Sequence, residues 1–338
     1  MKPYLLFILF FTTLLNATVL TGTEVKIASY NVENLFDLKY SGHEYEEYIP
    51  NTAWRWNAKT YRAKLKNISK VIVDMAPDII AIQEIESLQA LKDLRAQIQR
   101  QGLYFPYYAI ASAKSTSVTV ALLSKYPIVS QELRVTSSYR YRNILEAKVQ
   151  LGNEKLYIFV NHWKAKSGPE SKRVVSAKVL KKRLKVLGNV NYVLLGDFNS
   201  DYKENETFIR KRKFNDTNGI TGINHILKTT LHNEPVTLEV VKKCTDCAYN
   251  LWYECDAEKR WSHKYRGKGE GLDSIIISPK LAQVQGISYK ENSFHKFDTP
   301  YLFKGKNIYR WQRSRSRPKH HMAKGYSDHL PIYATFSY

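Results

Sequence analysis

Cysteine is nearly missing from this chain of 338 residues, and acid is short against base. The three cysteines, Cys244, Cys247 and Cys255, all fall in one short segment. An odd number allows at most one bridge within the chain, so a local loop staple with one thiol left over is expected. Zinc would need a fourth ligand, and His232 stands at a spacing that fits no strong zinc pattern. Asp and Glu total 31 against 52 Lys and Arg, a formal net charge of +21. A field of that sign selects polyanionic partners, namely nucleic acid, anionic lipid or phosphate-rich substrates. Beyond the N-terminal stretch no long apolar run occurs, so no membrane anchor is expected in the mature chain. Repeats, low-complexity tracts and a domain linker are missing too, which points to one domain spanning 18–338.

The chain opens MKPYLLFILFFTTLLNA, with one lysine, an apolar stretch from Tyr4 to Leu15, and a small residue at Ala17. The stretch is short of the roughly 20 apolar residues that span a bilayer. It reads as a signal peptide over 1–17, which makes the mature protein secreted or periplasmic. A hydrophobic content of 43% suits a packed core and argues against disorder. A soluble monomer is expected.

Strand and helix patterns alternate along that domain. Val25 to Tyr30 alternates apolar and polar residues and delivers Asn31. Thr60 to Met75 carries Leu65, Ile68, Val71, Ile72 and Met75 at helical spacing, Pro77 stops it, and Ile79 to Ile82 follows as a short buried strand before Gln83 and Glu84. Val118 to Leu123 is another strand. Ile144 to Leu151 and Lys155 to Val160 form a hairpin around Gly152-Asn153, ending at Asn161-His162. Ser171 to Leu187 is a basic helix; Tyr192 to Leu195, Leu272 to Ile277 and Leu330 to Phe336 complete the strands. Hairpins mixed with strand-helix units predict an α+β fold with a sheet-on-sheet core.

Polar residues at strand ends form a series: Asn31, Glu33, Glu84, His162, Asp197, Asn199, Asp273, Asp328 and His329. They lie in SYNVENLF, IIAIQEIE, NHWKAKSG, LLGDFNSD, LDSIIIS and YSDHLPIYATF. In type and order these segments resemble the endonuclease/exonuclease/phosphatase superfamily, which includes deoxyribonuclease I and the AP endonucleases. NHWKAKSG and the segment Tyr249 to Asp273 are similar to its secreted bacterial nucleases. The resemblance implies a four-layer α/β/β/α sandwich with two packed mixed β-sheets. It also implies hydrolysis of phosphodiesters with a divalent cation, Mg²⁺ or Mn²⁺, with Ca²⁺ in a supporting role.

Carried over residue by residue, the resemblance puts Glu84, Asn31 and Asp328 at the metal, with Glu33 a further acid that only some members have. His329 pairs with Asp273, Asp197 orients or deprotonates water, and Asn199 binds a phosphate oxygen. The sequence leaves open whether Asp197 or His329 takes the proton. His162 corresponds to a phosphate-contacting or acid histidine whose usual glutamate partner has no counterpart in SVTVALLS, Ser117 to Ser124. Arg142 opens the strand that carries a phosphate-binding arginine. Hard oxygen donors suit Mg²⁺, and charge developing on phosphate oxygens needs cations and N–H donors.

Basic residues cluster over Lys164 to Lys185, over Arg210 to Lys213, and in YRWQRSRSRPKHH, Tyr309 to His321. Arg310, Arg313 and Arg315 are expected to follow a phosphate backbone, with Tyr309 and Trp311 as stacking faces. The expectation is a DNase of low sequence specificity. The alternatives are a sphingomyelinase-like or phosphatase-like phosphoesterase of the same superfamily, and a non-catalytic polyanion binder or toxin subunit.

Overall fold

The computed structural model describes residues 22–113, 116–136, 140–208 and 214–338. Residues 1–17, expected to be a signal peptide, and the basic run Arg210 to Lys213 lie outside the described residues. The first strand, β1 (Glu24–Leu35), runs into the helix α1 (Ala58–Met75). Asn57 caps that helix: its side chain accepts from the Lys59 and Thr60 amides while Thr60 Oγ1 accepts from the Asn57 amide. Ala76 turns left-handed at φ 48° and Pro77 prevents continuation. Then come β2 (Ile79–Ile85), α2 (Leu88–Arg100), β3 (Tyr107–Ile110) and β4 (Thr119–Ser124). The second half supplies β5 (Ile128–Leu133), β6 (Ile144–Leu151), β7 (Glu154–His162), α3 (Ser171–Leu187) and β8 (Tyr192–Asp197). Two longer strands follow, Asp273–Ile277 and Ile332–Ser337.

Two mixed sheets result. In one, Ile332–Ser337, β1, β2, β4 and β3 lie side by side, with β1 and β2 parallel and the other pairs antiparallel. In the other, Asp273–Ile277, β8, β7, β6 and β5 lie side by side, with β7 and β8 parallel. Val25, Ile27, Ile79, Ala81 and Ile332 of the first sheet pack against Leu145, Ile158, Val160, Val193 and Leu195 of the second. The opposite faces are covered too. Tyr30, Ile80 and Ile82 meet Leu65, Ile68 and Leu94 of α1 and α2, and Phe159, Leu194 and Ile276 meet Ala177, Leu180 and Leu184 of α3. Coverage on both faces explains why the central strands read as unbroken apolar runs. Each fully buried side chain of this size contributes about 1.5–3 kcal/mol. The result is the four-layer α/β/β/α sandwich.

The parallel pairs matter most for function. β1 and β2 both end at the edge where β7 and β8 end, and the antiparallel neighbours begin there. Asp273 stands opposite Asp197 and His162 beside it, so three sheet-end residues share one row. The cysteine segment is stapled by a Cys244–Cys247 bridge, and Cys255 keeps its thiol.

Candidate active site

Asn31 joins the two sheets. Its Nδ2 donates to Glu84 Oε1 on β2 at 3.1 Å and to Asp197 Oδ2 on β8 at 3.0 Å. Its Oδ1 accepts from the Glu33 amide at 3.0 Å. Glu84 is aimed by a bulge: Gln83 pairs with Val120 and Ile85 with Thr119, leaving Glu84 unpaired on a left-handed backbone, φ 65°. Burial first, then the Asp328 carboxylate, pushes the Glu84 carboxyl up.

His162 ends β7 with Nε2 at 3.7 Å from Glu84 Oε1 and 3.5 Å from Asp197 Oδ2, while its buried Nδ1 has no hydrogen-bond partner among the described residues. That orphan nitrogen fits the missing glutamate. Burial, reinforced by Arg142, His329 and Lys164, holds the ring well below its ordinary pKa. Asp197 accepts the Asn199 amide on Oδ1 at 2.8 Å, and Asn199 adopts φ 48° to make that turn. Burial lifts the Asp197 carboxyl to about 7; the charge of His329 works against this, and Asp273 and Glu84 add to it. Asn199 Nδ2 and Arg142 Nη1 both donate to the Trp163 carbonyl at 3.2 Å, which brings the amide and the guanidinium to the same lip.

Asp273 and His329 meet across the sheets. Asp273 Oδ2 lies 2.6 Å from His329 Nδ1 and accepts from Ser262 Oγ at 2.6 Å. Ser327 Oγ donates to the Asn31 carbonyl at 2.6 Å and accepts the His329 amide at 3.2 Å, which pins the loop to β1. His329 Nε2 is thereby turned to Asp197 Oδ2 at 3.9 Å and Asp328 Oδ1 at 4.0 Å. Burial alone would lower this imidazole, yet Asp273, Asp197 and Asp328 together hold it well above its ordinary value. The three carboxylates thus favour its charged form.

The structure brings together Asn31, Glu84, His162, Asp197, Asn199, Asp273, Asp328 and His329, with Arg142 at the rim. The grouping differs from the expected one in detail. Glu84 clusters with His162 and Asp197, whereas Asp328 clusters with His263 and His329; within each group the ligand atoms lie inside 4.8 Å of one another. His263 was not singled out from the sequence. Its ring packs against His329 with centroids 4.7 Å apart and planes tilted by 37°, and burial lowers it to about 4. Its one sequence signal was a Ser-His pair ten residues before Asp273.

The run Tyr309 to His321 departs from expectation. Trp311 is 2% exposed and packs with Trp56 and His321, so it offers no face for a base. Arg310 donates through Nε to Glu33 Oε1 at 2.9 Å and pairs with Asp328 at 3.0 Å. Arg313 pairs with Glu47 at 2.8 Å, and Arg315 lies exposed on the loop. In the Lys164 to Lys185 stretch, Arg173 is buried against Glu170, Arg183 pairs with Glu146 and Lys181 with Asp246. Several basic side chains of these two runs therefore neutralise carboxylates within the fold.

The donors fit a hard divalent cation. Glu84 carries a half-buried carboxylate crowded by Asp328 and offset by the Asn31 amide, the arrangement that Mg²⁺ or Mn²⁺ relieves.

Comparison with known proteins agrees with this fold. No match emerges among curated protein sequences. Three solved structures share the fold at low identity. D. rerio TDP2 complexed with a single-strand DNA product is 14% identical over 94% of this chain and 100% of that one, TM-score 0.54. The Bacteroides thetaiotaomicron mannosyl-6-phosphatase Bt3783 is 14% identical over 93% and 100%, TM-score 0.53. An AP endonuclease from Archaeoglobus fulgidus is 15% identical over 92% and 98%, TM-score 0.54. The profile described as Endonuclease/Exonuclease/phosphatase family matches residues 26–337, nearly the whole chain, and the chain belongs to that family.

Proposed function

We propose that this protein is an exported, divalent-metal-dependent nuclease acting on DNA with low sequence specificity. The observation that carries the reading is the opposed pair at the seam of the sheets, Asp197 and the Asp273-held His329, at 3.9 Å. Asp197, raised to about 7, is matched to taking a proton from water near neutral pH. His329, fixed by Asp273 at 2.6 Å, presents its Nε2 to the phosphate oxygens. Asn199, His162 and Arg142 hold the remaining oxygens, Arg142 through its guanidinium fork. A bound Mg²⁺ or Mn²⁺, held by Glu84 with Asn31 and Asp328 near, would supply Lewis-acid charge stabilisation. The net charge of +21 favours a long polyanion over a small ester, and one neighbour of the same fold carries a single-strand DNA product. The apolar opening of the chain supports export.

Purified mature protein should degrade plasmid DNA with Mg²⁺ and stop with EDTA. His329→Ala should abolish turnover while DNA binding persists. Intact DNA and RNA beside phosphate released from a sugar phosphate, or phosphocholine from sphingomyelin, would replace the nuclease reading.

A further inference from the structure

The hairpin formed by His263–Tyr265 and Lys268–Glu270 belongs to neither sheet, and its root is built into the catalytic centre. Ser262 Oγ holds Asp273, the Ser262 carbonyl accepts the Leu330 amide at 2.8 Å, and His263 both bridges to His329 through the backbone and packs its tilted ring against it. The returning arm is tied down as well: Glu270 accepts from Lys166 at 2.9 Å, and Lys166 also pairs with the buried Glu204 at 2.7 Å. Between the arms lies Trp261, packed so closely that a Cβ on Gly269 would meet it at 2.8 Å. Lys264 and Lys296 cap its ring at 4.0 and 3.5 Å. Arg266 and Gly267 make the turn with φ 49° and 83°, the two-residue geometry that matches strand twist. The hairpin is a stiff finger.

Its tip makes no such ties to the body among the described residues. Tyr265 is 62% exposed, and Arg266, Gly267 and Lys268 are exposed with it. Arg266 lies over the Tyr265 ring at 5.3 Å, so a flat face and a cation are presented together. The tip lies about two residues beyond His263, roughly 7 Å at ~3.4 Å per residue.

We infer that this hairpin tip is the contact that grips a single nucleic-acid strand flanking the scissile phosphate. Tyr265 stacks on a base there while Arg266 and Lys268 neutralise neighbouring phosphates. The inference rests on the nuclease reading and replaces the run Tyr309 to His321 as the surface that distinguishes a strand from a small ester. A rigid presentation spares the ordering cost that a mobile basic loop would meet on binding. Because the root carries His263 and Ser262, a strand seated on the tip is registered against His329.

The test is anisotropy of a labelled single-stranded oligonucleotide in EDTA, across a salt series, with near-UV circular dichroism as the check on folding. Tyr265→Ala should weaken binding about fivefold or more, the loss expected for one stacked base. The pair Arg266→Ala/Lys268→Ala should reduce the slope of log K against log salt by about 1.4, two charges at ~0.7 each for a single strand. Arg266→Lys/Lys268→Arg, which keeps both charges, should retain the wild-type slope. If the wild type cuts DNA yet the tip variants bind with unchanged affinity and slope, the hairpin inference is overturned and the nuclease reading stands. If the wild type neither binds nor cuts any nucleic acid, the nuclease reading falls and the inference with it. If the tip variants lose adsorption to phosphatidylserine vesicles while oligonucleotide binding is unchanged, the hairpin serves a membrane, which also overturns it.

Discussion

Glu84 and Asn199 hold left-handed backbone that ordinary residues avoid, at φ 65° and 48°. Such conformations cost of order 1–3 kcal/mol each and persist where the surroundings enforce them. In Glu84 the strained bulge turns the carboxylate to Asn31, and in Asn199 it delivers the amide to Asp197. Glu84→Gln keeps the shape and removes the charge. It should weaken Mn²⁺ binding, read by calorimetry, by more than about 100-fold, beyond the loss typical of an outer-shell partner. Unchanged affinity would remove Glu84 from the metal. Arg310 teaches the converse lesson. As a sequence letter it looked free for phosphate, but Glu33 and Asp328 engage it. Burial and Asp328 push the Glu33 carboxyl up to about 7 even with Lys64 and Arg310 beside it, so the guanidinium answers a need inside the fold.

At the scale of elements, the parallel pair β7 and β8 sets the distance between His162 and Asp197. Gly196 makes their approach possible. A Cβ there would lie 2.1 Å from the Asn161 carbonyl oxygen, and its φ is 127°. Gly196→Ala should destabilise by about 3 kcal/mol or more, from strain and overpacking together. Urea unfolding and DNA cleavage should both report it, and a wild-type midpoint would show that the pair does not depend on this contact. Strand and helix cores were readable because their periodicities are local; Ser171 to Leu187 came out as a helix with those bounds. Ends were less readable. β1 runs on through Asn31 to Leu35 and β8 through Asp197, because pairing with a neighbour carries a strand past its apolar stretch.

The molecule as a whole is two sheets pressed face to face, with a loop region folded over one end through Trp56, Trp311 and His321. His321 is neutral there: its Nδ1 accepts from Trp311 Nε1 at 2.8 Å and its Nε2 donates to the Glu47 carbonyl at 2.7 Å. Burial above all, then Arg313 and Lys64, lowers it to about 4, against a favourable contact with Glu47. The unfolded ring binds its proton near pH 6.5, so between about 6.5 and 4 the unfolded chain holds a proton that the native chain lacks. Stability from this group therefore falls as pH drops through that window, by up to roughly 3 kcal/mol. His321→Gln should flatten the dependence of unfolding free energy on pH there, whatever its effect at pH 7. A slope equal to the wild type's would assign the acid sensitivity elsewhere.

Composition and local order by themselves determined that this chain packs a core, carries a large positive field, alternates strands with helices, and ends its strands in acids, amides and histidines. Those properties depend on residue type and short spacing. Only the tertiary structure decided which charges are available. Salt bridges and burial join residues far apart in the chain, as Arg310 with Glu33 or Asn31 with Asp197, and no local window contains both partners. For the same reason His263 and the hairpin tip became visible only when two sheet edges met.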